Sequence, residues 1–235
     1  MSALQVTLTR IWKGSFYPKD LPDRETLHYY GRHFSTVEIN HTFYRMPAES
    51  VLANWAEAVG AGFRFALKLN QKITHILKLR NCESALRAFL QTASVLGAEQ
   101  KLGPVLIQLP PSFRADAGVL EEFLKLQPPA FRFAFEVRHA SWHTEQTYAL
   151  LRAHNTALCL AETDQGSPPQ VLTADFAYVR LRKGEYTPAE LVTWRRRCDE
   201  WVRQGADVYV YCKHEEAGKG AAYARALLDS AAPGP

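Results

Sequence analysis

The sequence predicts an α/β protein with the fold of a closed (β/α)8 TIM barrel, and two observations lead to this class. Short runs rich in Val, Ile, Leu, Phe and Tyr alternate with segments whose apolar residues recur every three or four positions. This order is typical of parallel strands joined by helical crossovers. Eight strands in 235 residues suit one barrel domain. An open doubly wound sheet is the alternative, but no glycine-rich phosphate loop follows the first strand.

Seven of the strands are dense in β-branched and aromatic residues and end at polar clusters. They are expected at residues 35–39, 63–69, 105–109, 131–137, 157–161, 177–181 and 207–211. An eighth strand, the first in the chain, matches least well and is placed at residues 4–9. The domain is therefore expected to span residues 1–230, followed by a disordered tail at 231–235.

Helices are expected between the strands because the apolar spacing there is helical, as in Leu86, Phe89, Leu90 and Ala93. The predicted helices are residues 23–34, 49–59, 83–96, 117–126, 145–154, 188–203 and 220–229. One long irregular segment, 164–175, remains. The segment 194–201 carries three consecutive arginines, but pairs of the type Arg195–Asp199 and Arg196–Glu200 indicate a solvated helix face rather than a basic binding patch.

Composition narrows the class of protein. Hydrophobic residues are 47% and charged residues 22%, which is ordinary for a globular protein, and no apolar run is long enough to span a membrane. The first residues do not resemble a signal peptide. Four cysteines without a C-x-x-C pair lie in apolar surroundings, which favours free thiols in a cytoplasmic protein. A net charge of +4 excludes a strongly polycationic binder and is compatible with an anionic ligand.

Polar residues fall late in the strands, whereas most strand starts are apolar. In a barrel this gathers them at the carboxyl-terminal rim, where barrel enzymes build their sites. The side chains expected to converge on one shallow bowl are Glu38, Lys68, Gln108, Glu136 and Arg180. Two interpretations stay open: a ligand site, or a purely structural polar network across the barrel mouth.

Several segments resemble one known family. Residues 37–47 (VEINHTFYRMP) are similar to its VEINSTFYRLP signature, and residues 102–113 (LGPVLIQLPPSF) to its LGPxLxQLPPSF segment. Residues 133–142 (FAFEVRHASW) and 65–75 follow further motifs in the same order. The chain thus resembles the YecE-like family, domain of unknown function 72, from about residue 12 to 227. The resemblance implies a TIM barrel and no particular reaction. The likeness of such barrels to metal-dependent endonucleases is an analogy at the level of fold.

The chain departs from the family pattern in three places. The opening strand motif GTSGWSY has no match in residues 3–9, although Trp12 and residues 14–18 rejoin the pattern. The motif RLHG after the seventh strand reads RLRK, so that a histidine is replaced by Arg182, and the end of the last strand reads KHE at residues 213–215. The two later changes leave extra positive charge at the rim.

Proton-transfer chemistry is expected first from the densest polar cluster. Glu136 and His139 are the candidate general acid and base, with Glu38 assisting. The alternatives are a structural pair of Glu136 with Arg138, and neutralisation of Glu38 by Lys68. Lys68, Arg138 and Arg180 are the cations expected to hold a phosphate or carboxylate. Further candidate ligand-binding residues are Asn40, Tyr44, His75, Gln108, Trp142, Asp164, Arg182 and Tyr211.

The sequence gives less information about cofactors and partners than about the fold. His75, His139, Glu136 and Asp164 could supply a mixed site for a divalent metal, although nothing in their local spacing resembles H-E-x-x-H. No nucleotide-cofactor or serine-hydrolase motif is present. Tyr44, Trp142 and Tyr211 would stack on a base or sugar, or else pack in the wall. The first hypothesis is an acid–base enzyme acting on an anionic small molecule or nucleic-acid fragment. The others are a non-catalytic nucleic-acid-binding module and a scaffold with a decayed site.

Overall fold

In a computed structural model of the chain, which describes residues 12–213 and 219–229, parallel strands form one curved sheet in chain order. Each strand is hydrogen-bonded to the next with its carboxyl end at the same edge. The strands are β1 (Thr36–Ile39), β2 (Arg64–Lys68), β3 (Leu102–Gln108), β4 (Phe133–Glu136), β5 (Ala157–Glu162), β6 (Phe176–Leu181) and β7 (Asp207–Cys212). All seven overlap the strands expected from the sequence.

Helices connect the strands and cover the outside of the sheet. They are α1 (Thr26–Gly31), α2 (Glu49–Glu57), α3 (Glu83–Ala98), α4 (Ala117–Lys125), α5 (Glu145–Ala153), α6 (Pro188–Arg203) and α7 (Lys219–Asp229). Side chains cap the starts of three of them. Asp116 accepts from Val119 N–H before α4, Thr144 from Thr147 N–H before α5, and Thr187 forms a capping box with Glu190 before α6. On the outer face of α6, Arg195 pairs with Asp199 as expected, whereas Glu200 pairs with Arg197 rather than Arg196.

The barrel is nearly closed. The Thr36 hydroxyl on β1 and the Tyr211 hydroxyl on β7 lie 2.8 Å apart, so the first and last described strands meet through side chains. The strand expected at residues 4–9 and the tail at 231–235 lie outside the described residues. The expected helix at 23–34 is shorter than predicted: a 3-10 turn, Asp23–Glu25, precedes α1, which ends at Gly31.

Strand alternation divides the core into two layers. Outward residues such as Phe65, Ile107 and Phe135 pack against the helices, whereas inward residues form a small interior layer. That interior layer consists of Ala66, Leu106, Ala134, Ala157, Cys159, Phe176, Tyr178 and Tyr211. Several of these side chains are small, as the narrow interior of a barrel requires. The alternation also fixes which polar residues face the interior further along each strand.

Candidate functional site

Polar side chains occupy the inward positions nearest the carboxyl ends of four strands. Each stands two residues after an inward apolar residue: Lys68 follows Ala66, Gln108 follows Leu106, Glu136 follows Ala134 and Arg180 follows Tyr178. Because side chains alternate with a period of two, all four point into the barrel mouth, where Glu38 of β1 joins them. The five residues predicted to converge therefore do so.

One continuous chain of hydrogen bonds joins these five side chains. The Lys68 ammonium donates to Gln108 Oε1 at 2.8 Å, and Gln108 Nε2 donates to Glu136 Oε1 at 2.7 Å. Arg180 then bridges the two carboxylates, donating from Nη1 to Glu136 Oε2 at 2.6 Å and from Nη2 to Glu38 Oε1 at 2.7 Å. We call Glu38, Gln108, Glu136, Tyr178 and Arg180, which form the base of the mouth, the floor network.

The cation that neutralises Glu38 is Arg180. All three ionic side chains of the bridge are nearly inaccessible, at 2–3% exposure. A charge so deeply buried requires a partner, and here two carboxylates share one guanidinium. The alternative in which Lys68 neutralises Glu38 is wrong, because Arg180 occupies Glu38 Oε1. The terminal nitrogens of Arg180 are likewise committed to the two carboxylates and are less available to a ligand than expected.

The floor network holds both carboxylates ionised. Burial alone would raise the pKa of Glu38, but the charge of Arg180 and hydrogen bonds from Tyr178, Arg180 and Asn40 outweigh burial and lower it to about 2. The pKa of Glu136 is lowered in the same way, against its burial, chiefly by Arg180 and Arg138. The Tyr178 hydroxyl, which donates to Glu38 Oε2 at 2.7 Å, was not anticipated. The sequence signal that could have predicted it is that Tyr178 precedes Arg180 by two residues, so both side chains lie on the same face of the strand.

Lys68 and Arg138 complete the cationic side of the mouth. Lys68 is half-buried, and its ammonium lies 4.1 Å from the centroid of the Phe43 ring. Burial, followed by repulsion from Arg180, lowers the pKa of Lys68 to about 8. Arg138 donates from Nε to Glu136 Oε1 at 3.2 Å, and its side chain is 43% exposed. Both cations remain open to solvent above the floor network.

The rim is built by the segments that follow β1 and β2. Asn40 donates to Glu38 Oε1 at 2.9 Å, and a 3-10 turn, His41–Phe43, then leads to Tyr44, which is 66% exposed. After β2, a π-helical turn, Lys72–Ile76, places His75 edge-on to the Phe43 ring with centroids 4.9 Å apart. Burial, Lys68 and Arg138 all lower the pKa of His75, which favours its neutral form.

Two aromatic candidates belong to the wall rather than to a ligand surface. Trp142 is completely buried, donates from Nε1 to the Phe113 carbonyl at 2.7 Å and packs edge-on against the Phe113 ring. Tyr211 is 5% exposed and bonds Thr36 inside the barrel. Rings so deeply buried cannot stack on a bound molecule, so the ligand-stacking interpretation fails for both, and the wall-packing alternative holds.

The remaining candidates lie around the rim with local partners. His139 accepts from the Ser141 N–H through Nδ1 at 3.1 Å and caps the turn Ala140–Trp142, so its neutral form carries the proton on Nε2. Asp164 is exposed and accepts from the Gly184 N–H at 3.1 Å, which ties the segment after β5 to that after β6. Arg182 is half-buried, two residues beyond Arg180.

Metal binding and membrane insertion find no support among residues 12–213 and 219–229. No three His, Cys, Asp or Glu side chains in these ranges gather into a group that could hold a metal ion, so the expected set of His75, Glu136, His139 and Asp164 is not assembled. In the same ranges no helix combines the length and apolar character needed to cross a bilayer. The four cysteines are free thiols, three of them buried.

Comparison with known proteins places the chain in a family. The family model described as protein of unknown function DUF72 matches residues 9–234. The chain is 35% identical to the UPF0759 protein YecE of Escherichia coli K12 over 127 residues, covering 52% of this chain and 46% of YecE, so the match spans about half of that relative. It is 24% identical to the UPF0759 protein YunF of Bacillus subtilis, covering 92% of this chain and 89% of YunF.

Solved structures extend the likeness to the whole fold. A DUF72 family protein from Thermotoga maritima superposes with a TM-score of 0.81 at 28% identity, covering 92% of both chains. A DUF72 family protein from Enterococcus faecalis gives 0.76 at 20% identity, covering 87% of this chain and 92% of the other, a likeness of fold alone. From the family match over nearly its full length and the shared barrel of parallel strands, the chain belongs to the DUF72 family.

Proposed function

We propose that this protein binds a small anionic molecule, bearing a phosphate or carboxylate, at the carboxyl-terminal mouth of its barrel. The observation that carries the proposal is the charge balance of the five ionic side chains there. Three cations, Lys68, Arg138 and Arg180, face two carboxylates, Glu38 and Glu136, which leaves one positive charge in excess. A bound anion would offset this excess in a partly desolvated bowl, where charge pairing is stronger than in water.

Lys68 and Arg138 are the two side chains placed to contact the anion. Within the described residues the Lys68 ammonium makes no ion pair, and its hydrogen bond goes to an amide oxygen. In the part of the chain that the structure describes, Arg138 donates to Glu136 from Nε, which leaves both terminal nitrogens of the guanidinium to form paired contacts with an oxyanion. Arg180 would act at a distance, by holding the floor network in place.

Binding, rather than a particular reaction, is what the arrangement favours. Glu136 and Glu38 stay predicted proton-transfer residues, but each has a lowered pKa and has both oxygens engaged in hydrogen bonds, and a carboxylate in that state is a weak base. His139 keeps Nε2 for such a role, since Nδ1 caps a turn. We therefore take anion binding as the primary function, with acid–base catalysis as a step that would follow from it.

The test is thermal unfolding of the full chain with increasing inorganic phosphate, at an ionic strength held constant with chloride. A ligand present at 100 times its Kd stabilises the folded state by about 2.7 kcal/mol, which shifts the midpoint measurably. Lys68→Met and Arg138→Gln should each reduce the shift, and Arg87→Gln on the exposed surface of α3 is the control. Binding should also weaken as the pH rises through about 8, because Lys68 then loses its proton.

An equal shift in wild type and both mouth variants would overturn the proposal. The alternative is a non-catalytic module for nucleic acid. That alternative predicts tighter binding of a short single-stranded oligonucleotide than of phosphate, with an affinity that falls steeply as salt increases because each phosphate contact releases counterions. A flat salt response of the oligonucleotide would reject it.

A further inference from the structure

Apolar side chains are exposed directly beside the cationic mouth. Within the described residues, the large apolar side chains that stand most in solvent include Ile76 at 69% and Tyr44 at 66%. Both belong to the rim, on the segments after the neighbouring strands β1 and β2. The others, Val192, Val202 and Leu228, lie on α6 and α7. We call Phe43, Tyr44 and Ile76, together with the His75 ring, the apolar lip.

The lip is continuous with the cationic site. Phe43 connects the two, because its ring contacts both Lys68 and Tyr44. The Lys68 ammonium lies 4.1 Å from the centroid of the Phe43 ring, and the Tyr44 ring packs edge-on against that ring with centroids 5.0 Å apart. These two distances place the Tyr44 ring no more than about 9 Å from the Lys68 nitrogen. The Asn70 amide donates to the Tyr44 carbonyl at 3.4 Å, which ties the two rim segments together.

Local structure holds the lip in place rather than leaving it to fold inward. The Thr42 hydroxyl, fully buried, donates to the Lys68 carbonyl at 2.7 Å and anchors the turn that presents Phe43 and Tyr44. Ile73 and Thr74 bury the inner side of the π-helical turn, which leaves Ile76 on its outer side. Exposing two such side chains costs hydrophobic free energy that a polar residue at either position would avoid.

We propose that the anion bound at this mouth is attached to a planar ring, and that the ring lies on the apolar lip while its phosphate or carboxylate contacts Lys68 and Arg138. This inference rests on the proposed function and specifies the substrate class of the same site. Aromatic rings pair with centroids about 4.5 to 7 Å apart. A ring joined directly to a phosphate held at Lys68 therefore reaches Tyr44. The excess positive charge beside the lip is the complement of such a ligand.

The occupant we commit to is a small molecule, an aryl or heteroaryl phosphate or carboxylate. Tyr44 presents one exposed aromatic ring, and Ile76, next to His75 on the segment after β2, presents an exposed aliphatic side chain. A single-stranded nucleic acid would need successive stacking platforms along a basic groove. Among the described residues, the large exposed apolar side chains include one aromatic ring, that of Tyr44. Preference for an oligonucleotide over a small aryl phosphate is therefore an outcome that would contradict the inference.

The experiment compares two phosphate monoesters, of which one carries an aromatic ring and the other does not. Methyl phosphate and phenyl phosphate are titrated calorimetrically into the full chain at pH 7.5, where both are mainly dianions because the second phosphate pKa lies near 6. We expect phenyl phosphate to bind about two- to twelvefold more tightly, which is the range that one aromatic contact provides. Tyr44→Ala and Ile76→Ala should each bring the ratio of phenyl phosphate affinity to methyl phosphate affinity towards one. Val202→Ala, an exposed apolar residue of α6, is the matched control.

The outcomes separate this inference from the proposed function. Measurable methyl phosphate binding with an affinity ratio near one in the wild type overturns the planar-ring inference alone. A ratio that persists in both lip variants overturns it as well, since the ring would then lie elsewhere. Failure of both esters to bind overturns the proposed function, and the inference with it.

Discussion

The replacement Glu38→Gln tests the electrostatics of the floor network most directly. Glutamine keeps the shape of the side chain and can still accept hydrogen bonds, but it removes the charge that Arg180 faces at 2.7 Å. The ordinary pKa of 4.5 is lowered to about 2 in the folded chain. A shift of that size corresponds to about 3 kcal/mol of stability at neutral pH, at 1.36 kcal/mol for each pKa unit. We expect the variant to be destabilised by roughly this amount at pH 7.

The pH dependence distinguishes this mechanism from simple loss of packing. Because the folded pKa of Glu38 lies below the unfolded one, its contribution is fully present above about pH 5 and is lost as the pH falls towards 2. The stability difference between wild type and variant should therefore shrink by about 2 kcal/mol from pH 7 to pH 3. Urea unfolding at both pH values, followed by tryptophan fluorescence, measures it.

The matched control is Glu121→Gln. Glu121 also pairs with a cation, Lys125 at 3.2 Å, but both side chains are about half exposed, and such surface pairs contribute little to stability. A Glu38→Gln variant as stable as the wild type, or one whose deficit is the same at pH 3 and pH 7, would refute the assignment of an ionised, Arg180-paired Glu38.

Two further replacements test the framework of the barrel at its two ends. Lys101→Met removes a buried ammonium that donates to the Val59 carbonyl at 2.7 Å and to the Gly60 carbonyl at 2.6 Å. Because both acceptors then lose their partner, the free energy of unfolding measured with a chemical denaturant should fall by about 1 to 3 kcal/mol. An unchanged free energy of unfolding would show that water replaces the amine. Trp142→Phe removes the donor to the Phe113 carbonyl, so we expect a lower unfolding midpoint and an unchanged phosphate affinity. Weaker phosphate binding in a variant as stable as the wild type would instead show that Trp142 contacts the ligand.

The local sequence pattern predicted the strands because burial on both faces of a parallel strand produces compact apolar runs. It also predicted that Lys68, Gln108, Glu136 and Arg180 converge, because each falls late in its strand and the carboxyl ends of barrel strands meet at one rim. The local sequence pattern could not predict which cation pairs with which carboxylate in the bowl. Arg180 lies 142 residues after Glu38, and only the curvature of the sheet brings it, rather than Lys68, between the two carboxylates.

The segments after the strands were the least predictable part of the site. The 3-10 turn His41–Phe43 and the π-helical turn Lys72–Ile76 have no periodicity of their own, and tertiary hydrogen bonds such as that from Thr42 to the Lys68 carbonyl fix them. Ile76 was consequently absent from the candidate residues. Trp142 was included because a tryptophan near a strand end resembles a ligand platform, although its indole is enclosed by the segment around Phe113.

The position of the floor network within the barrel argues against a purely structural role. Replacing a buried ion pair by apolar residues of similar volume is often neutral or stabilising, so a network of this kind is weak support for stability alone. One layer deeper, the same strands fill the interior with Ala66, Leu106 and Ala134, which shows that the fold is compatible with an apolar filling. Among the described residues of these strands, the change to ionised groups occurs at the carboxyl-terminal mouth, beside the partly exposed Lys68 and Arg138. That excess of positive charge, at a position where the fold accepts apolar side chains one layer deeper, supports the anion site that we propose.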